Sequence, residues 1–89
     1  MKADKKSTLR LLKTARGQID GIIRMVDDDK YCIDIVNQIM ASDAILKKAM
    51  KQIMHAHLSG CVINAFSEDK EMQEEKIAEI IQVFDKLNQ

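Results

Sequence analysis

Apolar residues along the first third of the chain recur at spacings of three and four: Leu9, Leu12, Ile19, Ile22, Ile23 and Val26. That period marks one face of a helix and predicts a helix from about Lys5 to Asp28. Gly17 and Gly21 fall inside it. No strand pattern precedes them, so they read as points of close packing against a neighbouring helix rather than as a phosphate loop. The run Asp27-Asp28-Asp29-Lys30 reads as a turn, with an acidic residue available to cap the next helix.

A second, longer helix is predicted from about Tyr31 to Phe66. Val36, Ile39, Leu46, Met50, Ile53 and His57 form its stripe, widened by Ile35, Ile45, Met54, Leu58, Val62 and Ala65. A helix apolar over more than one face packs against more than one partner. Ser67 to Lys70 is a polar break with Ser67 or Asp69 as caps. A third helix, about Glu71 to Leu87, carries Ile77, Ile80, Ile81, Phe84 and Leu87 on one side. The expectation is an all-α, three-helix subunit with a long central helix, one domain over residues 1–89.

Composition supports long helices, since the chain has no proline and only three glycines. At 89 residues it buries a thin core, so association with further copies is expected. The formal charge is zero, but the charges are segregated. Lys2, Lys5, Lys6, Arg10, Lys13, Arg16 and Arg24 face only Asp4 and Asp20 in the first helix region, whereas the segment from Glu68 onward is acidic. A neutral total therefore conceals a basic region that suits nucleic acid. No apolar run approaches the roughly 20 residues that span a bilayer, and no secretory signal is visible. The expected location is the cytoplasm. Two cysteines in that reducing compartment read as ligands or reactive thiols rather than a structural disulfide.

The residues that carry chemistry are Cys32, His57 and Cys61. His57 and Cys61 stand four apart, so on a helix they share a face with Cβ atoms roughly 5–6 Å apart. Cys32 lies 29 positions before Cys61, about 43 Å along an unbroken helix at ~1.5 Å per residue. The two cysteines cannot meet within one chain. They can meet between chains: an antiparallel pair of long helices sets Cys32 of one subunit beside His57 and Cys61 of the other, with the two-fold axis near Ala44 to Leu46. Two thiolates and an imidazole form a soft three-coordinate set that suits copper(I), whereas zinc usually takes a fourth ligand. On spacing alone the plain alternative is that all three are core residues. His55 points away from His57 and reads as a surface or interface residue, and Met40, Met50 and Met54 as core.

Three stretches carry a resemblance: Arg16-Gly17-Gln18-Ile19-Asp20-Gly21-Ile22-Ile23-Arg24-Met25, then Tyr31-Cys32-Ile33-Asp34-Ile35 with Gln38-Ile39, then His57-Leu58 followed by Cys61. With them the chain resembles, from about Leu9 to Leu87, the copper-sensitive operon repressor family of bacterial metal sensors. The resemblance implies an antiparallel dimer that pairs into a tetramer, and operator DNA released on binding Cu(I) at Cys32, His57 and Cys61. It further implies that Tyr31 and a glutamate of the third helix support the ligands; Glu79 fits that place with two extra residues in the preceding connection. For DNA it points to Arg10, Lys13, Arg16 and Lys51, with one departure: Leu11 stands where many members carry an arginine.

Two other functions fit the same residues. Cys32 and Cys61 of different subunits, oxidised or bridged by sulfur, make a persulfide or redox sensor of the same fold. The sulfur-sensing relatives generally lack the histidine, so His57 favours copper. The other is a helical metal-buffering protein with no DNA function, against which the basic first helix argues. No nucleophile–base pair appears apart from these ligands, so an enzyme is not expected.

Overall fold

A computed structural model describes residue 1, residues 3–65 and residues 70–87, the side chains at 61–65 excepted. Three helices follow in order: α1 (Lys5–Asp27), α2 (Cys32–Ala65) and α3 (Lys70–Leu87). Phe66, Ser67 and Asp69, where the end of the second helix and the caps of the third were expected, lie outside the described residues.

α1 starts where Asp4 breaks the helical backbone (φ −62°, ψ 106°) and its carboxylate accepts the Lys6 amide at 3.1 Å. This is an ordinary side-chain cap of an otherwise orphaned N–H. It ends in a Schellman arrangement. The Lys30 amide donates to the Met25 carbonyl at 3.0 Å and the Asp29 amide to the Val26 carbonyl at 3.1 Å. Asp29 takes the left-handed position, φ 53°, where glycine is usual. The acidic run therefore closes α1. It does not cap α2, because the residue before α2 is Tyr31, whose carbonyl accepts the Ile35 amide.

α1 lies antiparallel on α2. Ser42 Oγ donates to Gln18 Oε1 at 2.9 Å, and Gln52 Nε2 donates to Ser7 Oγ at 2.8 Å. Small residues let the two backbones approach: Thr8 and Ala15 on α1, Ser42 and Ala49 on α2, each pair seven apart and each residue at most 4% exposed. Ile35 and Ala56 extend the α2 row by the same step, and Ile22 the α1 row, all half-buried. A seven-residue repeat of this kind keeps a seam straight between two helices. The stripe read from the sequence is a different face. Leu9, Leu12, Ile19, Ile23 and Val26 remain exposed, and only Ile22 of that set enters the seam. Nor do the glycines serve the packing of α1 on α2. A Cβ at Gly17 would meet nothing within 4 Å, and one at Gly21 only the end of Arg24.

α3 touches α2 and not α1. Gln73, Lys76, Ile80, Val83 and Leu87 make its half-buried side, while Ile77, Ile81 and Phe84 stay exposed. The three helices form one layer, with extents of 57 × 28 × 13 Å. The thin dimension is about that of one helix with its side chains, roughly 10–12 Å. A stable core needs two layers, and among the described residues no large side chain is fully buried. The chain exposes 7034 Å², whereas a globular chain of this size exposes about 5,300 Å². The excess, about 1,700 Å², is about twice the ~800 Å² that one partner of a standard protein interface covers.

Candidate metal centre

α2 runs unbroken through 34 residues, about 51 Å at ~1.5 Å per residue. Cys32 is its first residue, and its thiol is free and exposed. His57 lies 25 positions on and is also exposed. At ~100° per residue, 25 positions return to within about 20° of the same direction, and the 29 positions to Cys61 do likewise. All three residues therefore sit on one face of one straight rod, Cys32 at one end and His57 with Cys61 near the other. The face between them is mostly apolar, with Val36, Ile39, Leu46 and Met50 each 36–50% exposed and Asp43 as its charged exception. Among the described residues no three His, Cys, Asp or Glu side chains converge closely enough to hold a metal. Cys61 has its backbone in α2 one turn past His57, and its side chain lies outside the description.

Tyr31, directly before α2, is 66% exposed beside Cys32. It is therefore about 39 Å along the helix from His57 of its own chain. Glu79 is exposed on α3. Phe84 and Leu87 border the same cavity as Lys51 and Met54, so α3, running back along α2, brings Glu79 to about the level of His57.

Of the four basic residues expected to meet DNA, the structure gathers two. Arg10 and Lys51 line one open cleft of about 470 Å³ between α1 and α2, with Ser7, Leu11, Lys48, Gln52 and His55. Lys13 and Arg16 are exposed on α1 and do not border it. Lys48 was not among the basic residues expected to meet DNA, and His55 was expected only as a surface or interface residue. Their spacing of three and four from Lys51 was the signal, since residues so spaced share a helix face. Around α2 this basic face stands about 130° from the face of Cys32 and His57. A partner seated on the one leaves the other open.

The metal-sensitive transcriptional repressor family model matches residues 4–86. The chain belongs to that family. Its members are repressors of transcription rather than enzymes. The copper-sensing transcriptional repressor CsoR of Mycobacterium tuberculosis is 43% identical over 63 residues, which is 71% of this chain and 53% of that protein. The chain thus spans about half the length of the mycobacterial CsoR relatives it matches. Among solved structures, the copper-sensing repressor CsoR with Cu(I) from Geobacillus thermodenitrificans superposes with a TM-score of 0.82 at 31% identity, covering 94% of this chain and 85% of that one. The nickel-responsive transcriptional regulator InrS shares the fold, with a TM-score of 0.78 at 22% identity over 97% of this chain and 94% of that one. Among the described residues no helix is long and apolar enough to cross a membrane.

Proposed function

We propose that the chain is a copper(I)-responsive repressor, a single domain over residues 1–89, that holds operator DNA without metal and releases it on binding Cu(I). The observation that carries this reading is the placement of Cys32 and His57 on one face at opposite ends of a straight, apolar-faced helix. An antiparallel two-fold pair covers that face and completes a site at each end from Cys32 of one subunit with His57 and Cys61 of the other. The register agrees with the charges. Asp43 and Lys47, ion-paired at 3.0 Å within one chain, flank the proposed axis. Across an antiparallel partner each then meets the opposite sign, whereas a parallel pair sets like beside like. The exposed apolar residues of α1 and α3 supply the surface by which two dimers join into a tetramer.

Two thiolates and one imidazole suit the low coordination number and soft character of Cu(I). The ion itself would supply only a bond between subunits. The protein's own groups do the rest: in that antiparallel pair Tyr31 of the partner subunit and Glu79 would hold the second ring nitrogen of His57 and fix the ring's orientation. Arg10, Lys13, Arg16 and Lys51 hold backbone phosphates, so affinity falls steeply with salt. Regulation needs a coupling of about 1–3 kcal/mol between the two sites, and it is reciprocal, so DNA weakens copper binding by the same factor.

The test is a gel-shift titration with a duplex that the protein itself selects from a random pool. Cu(I) should weaken binding at least fivefold, consistent with about 1 kcal/mol; unchanged affinity sinks the sensing claim.

A further inference from the structure

We propose that Phe84 and Leu87 of α3 are positioning residues for nucleic-acid binding, holding the wall formed by Lys51 and His55 so that it meets a backbone phosphate together with Arg10 and Lys48. The proposal rests on the reading of Arg10 and Lys51 as phosphate contacts.

The cleft between α1 and α2 gathers three cations, Arg10, Lys48 and Lys51, and among the described residues no carboxylate lines it. Among the described residues none of the three has an ion-pair partner. Like charges held together without a counter-charge favour an anion between them. His55 adds a ring N–H, a donor whatever its protonation state. Across this groove the Gln52–Ser7 hydrogen bond ties α2 to α1, so the side of Arg10 is fixed. The opposite side is held differently.

Lys51 and His55 also border a second, open cavity, of about 160 Å³, lined by Met54, Leu58, Phe84 and Leu87. Lys51 borders a third, of about 300 Å³, with Lys47, Phe84 and Leu87. One lysine thus has the basic cleft on one side and the end of α3 on the other. Long cationic side chains lay their methylenes along apolar surface and present the charged head to solvent. A stem so supported has fewer conformations to lose when its ammonium meets a phosphate. Since among the described residues α3 contacts α2 and not α1, the lean of α3 sets that support. The same rigid helix carries Glu79 about one and a half turns before Phe84. A shift of α3 at the level of His57 is therefore delivered to Lys51.

The experiment uses the full metal-free chain and a labelled duplex selected by the wild type from a random pool, with affinity measured by anisotropy across a salt series. Lys51→Ala is expected to weaken binding about tenfold and to lower the salt slope by about 0.9 for each cleft engaged. Phe84→Ala is expected to do the same in kind, and Phe84→Leu to restore most of the slope. In the double variant Phe84→Ala should add little to Lys51→Ala, since both remove one contact. Full affinity and an unchanged slope in Phe84→Ala, with Lys51→Ala weakened, overturn the positioning role and leave the cleft standing. No effect of Lys51→Ala overturns the phosphate reading beneath it. If circular dichroism shows that Phe84→Ala loses helix, Leu87→Ala takes its place with the same expectations.

Discussion

Replace Cys32 by alanine in one preparation and Cys61 by alanine in another, and neither protein alone can complete a three-ligand site. What happens on mixing depends on whether the ligands come from one chain or two. The straight α2 holds the two positions about 43 Å apart, and the helix is unbroken across residues 32–65. A site within one subunit is therefore closed to them. In an antiparallel heterodimer one end loses both thiols, and the other keeps Cys32 from one chain with His57 and Cys61 from the other. Unfolding and refolding an equal mixture makes about half the dimers heterodimeric, each with one intact site out of two. The mixture should regain about a quarter of the wild-type number of tight Cu(I) sites per chain. The assay is anaerobic titration against a chelator strong enough to strip two-ligand sites from either parent, with X-ray absorption on the recovered fraction to count two sulfurs and one nitrogen. A mixture that binds no more tightly held copper than its parents refutes the shared site.

Three further outcomes are expected. In gel shifts His57→Ala should abolish release of DNA by Cu(I) while leaving intact any release by an oxidant or polysulfide that acts through the thiols; loss of both responses, or of neither, counts against the assigned role. Ala49→Leu, at a position 2% exposed where α1 and α2 meet, should cost about 1–3 kcal/mol. Urea unfolding of the assembled protein reads that loss, and unchanged stability would mean the helices are not closely apposed there. Asp29→Gly should raise stability by about 0.5–1 kcal/mol, because the left-handed turn suits glycine better than a residue with a Cβ; a fall in the same unfolding experiment contradicts the strained-cap account.

The helices were legible in the sequence because periodicity is local. Three- and four-residue spacing, the absence of proline and the acidic turn set α1, α2 and α3 to within two residues at every described end. The spacing of the candidate ligands was legible too. The His57–Cys61 spacing and the distance to Cys32 follow from helix geometry once α2 is continuous. Which faces meet was not legible. The strongest apolar pattern of α1, Leu9 through Val26, marks one face of the helix, yet the contact with α2 runs through Thr8, Ala15, Ser42 and Ala49. These small residues carry little hydrophobic signal. Their value lies in letting two backbones approach, and only the paired helices display it.

The sequence by itself determined the elements and the spacing of Cys32, His57 and Cys61 along one helix. Each is a property of one helix taken alone, fixed by local backbone geometry. Tertiary structure decided what each face is left to do. By spending small residues on the α1–α2 seam, the fold leaves the apolar stripe between Cys32 and His57 exposed. It also gathers Arg10, Lys48, Lys51 and His55 into one cleft against the end of α3. Residues far apart in the chain become neighbours only through packing, and no spacing rule along a single helix reports it.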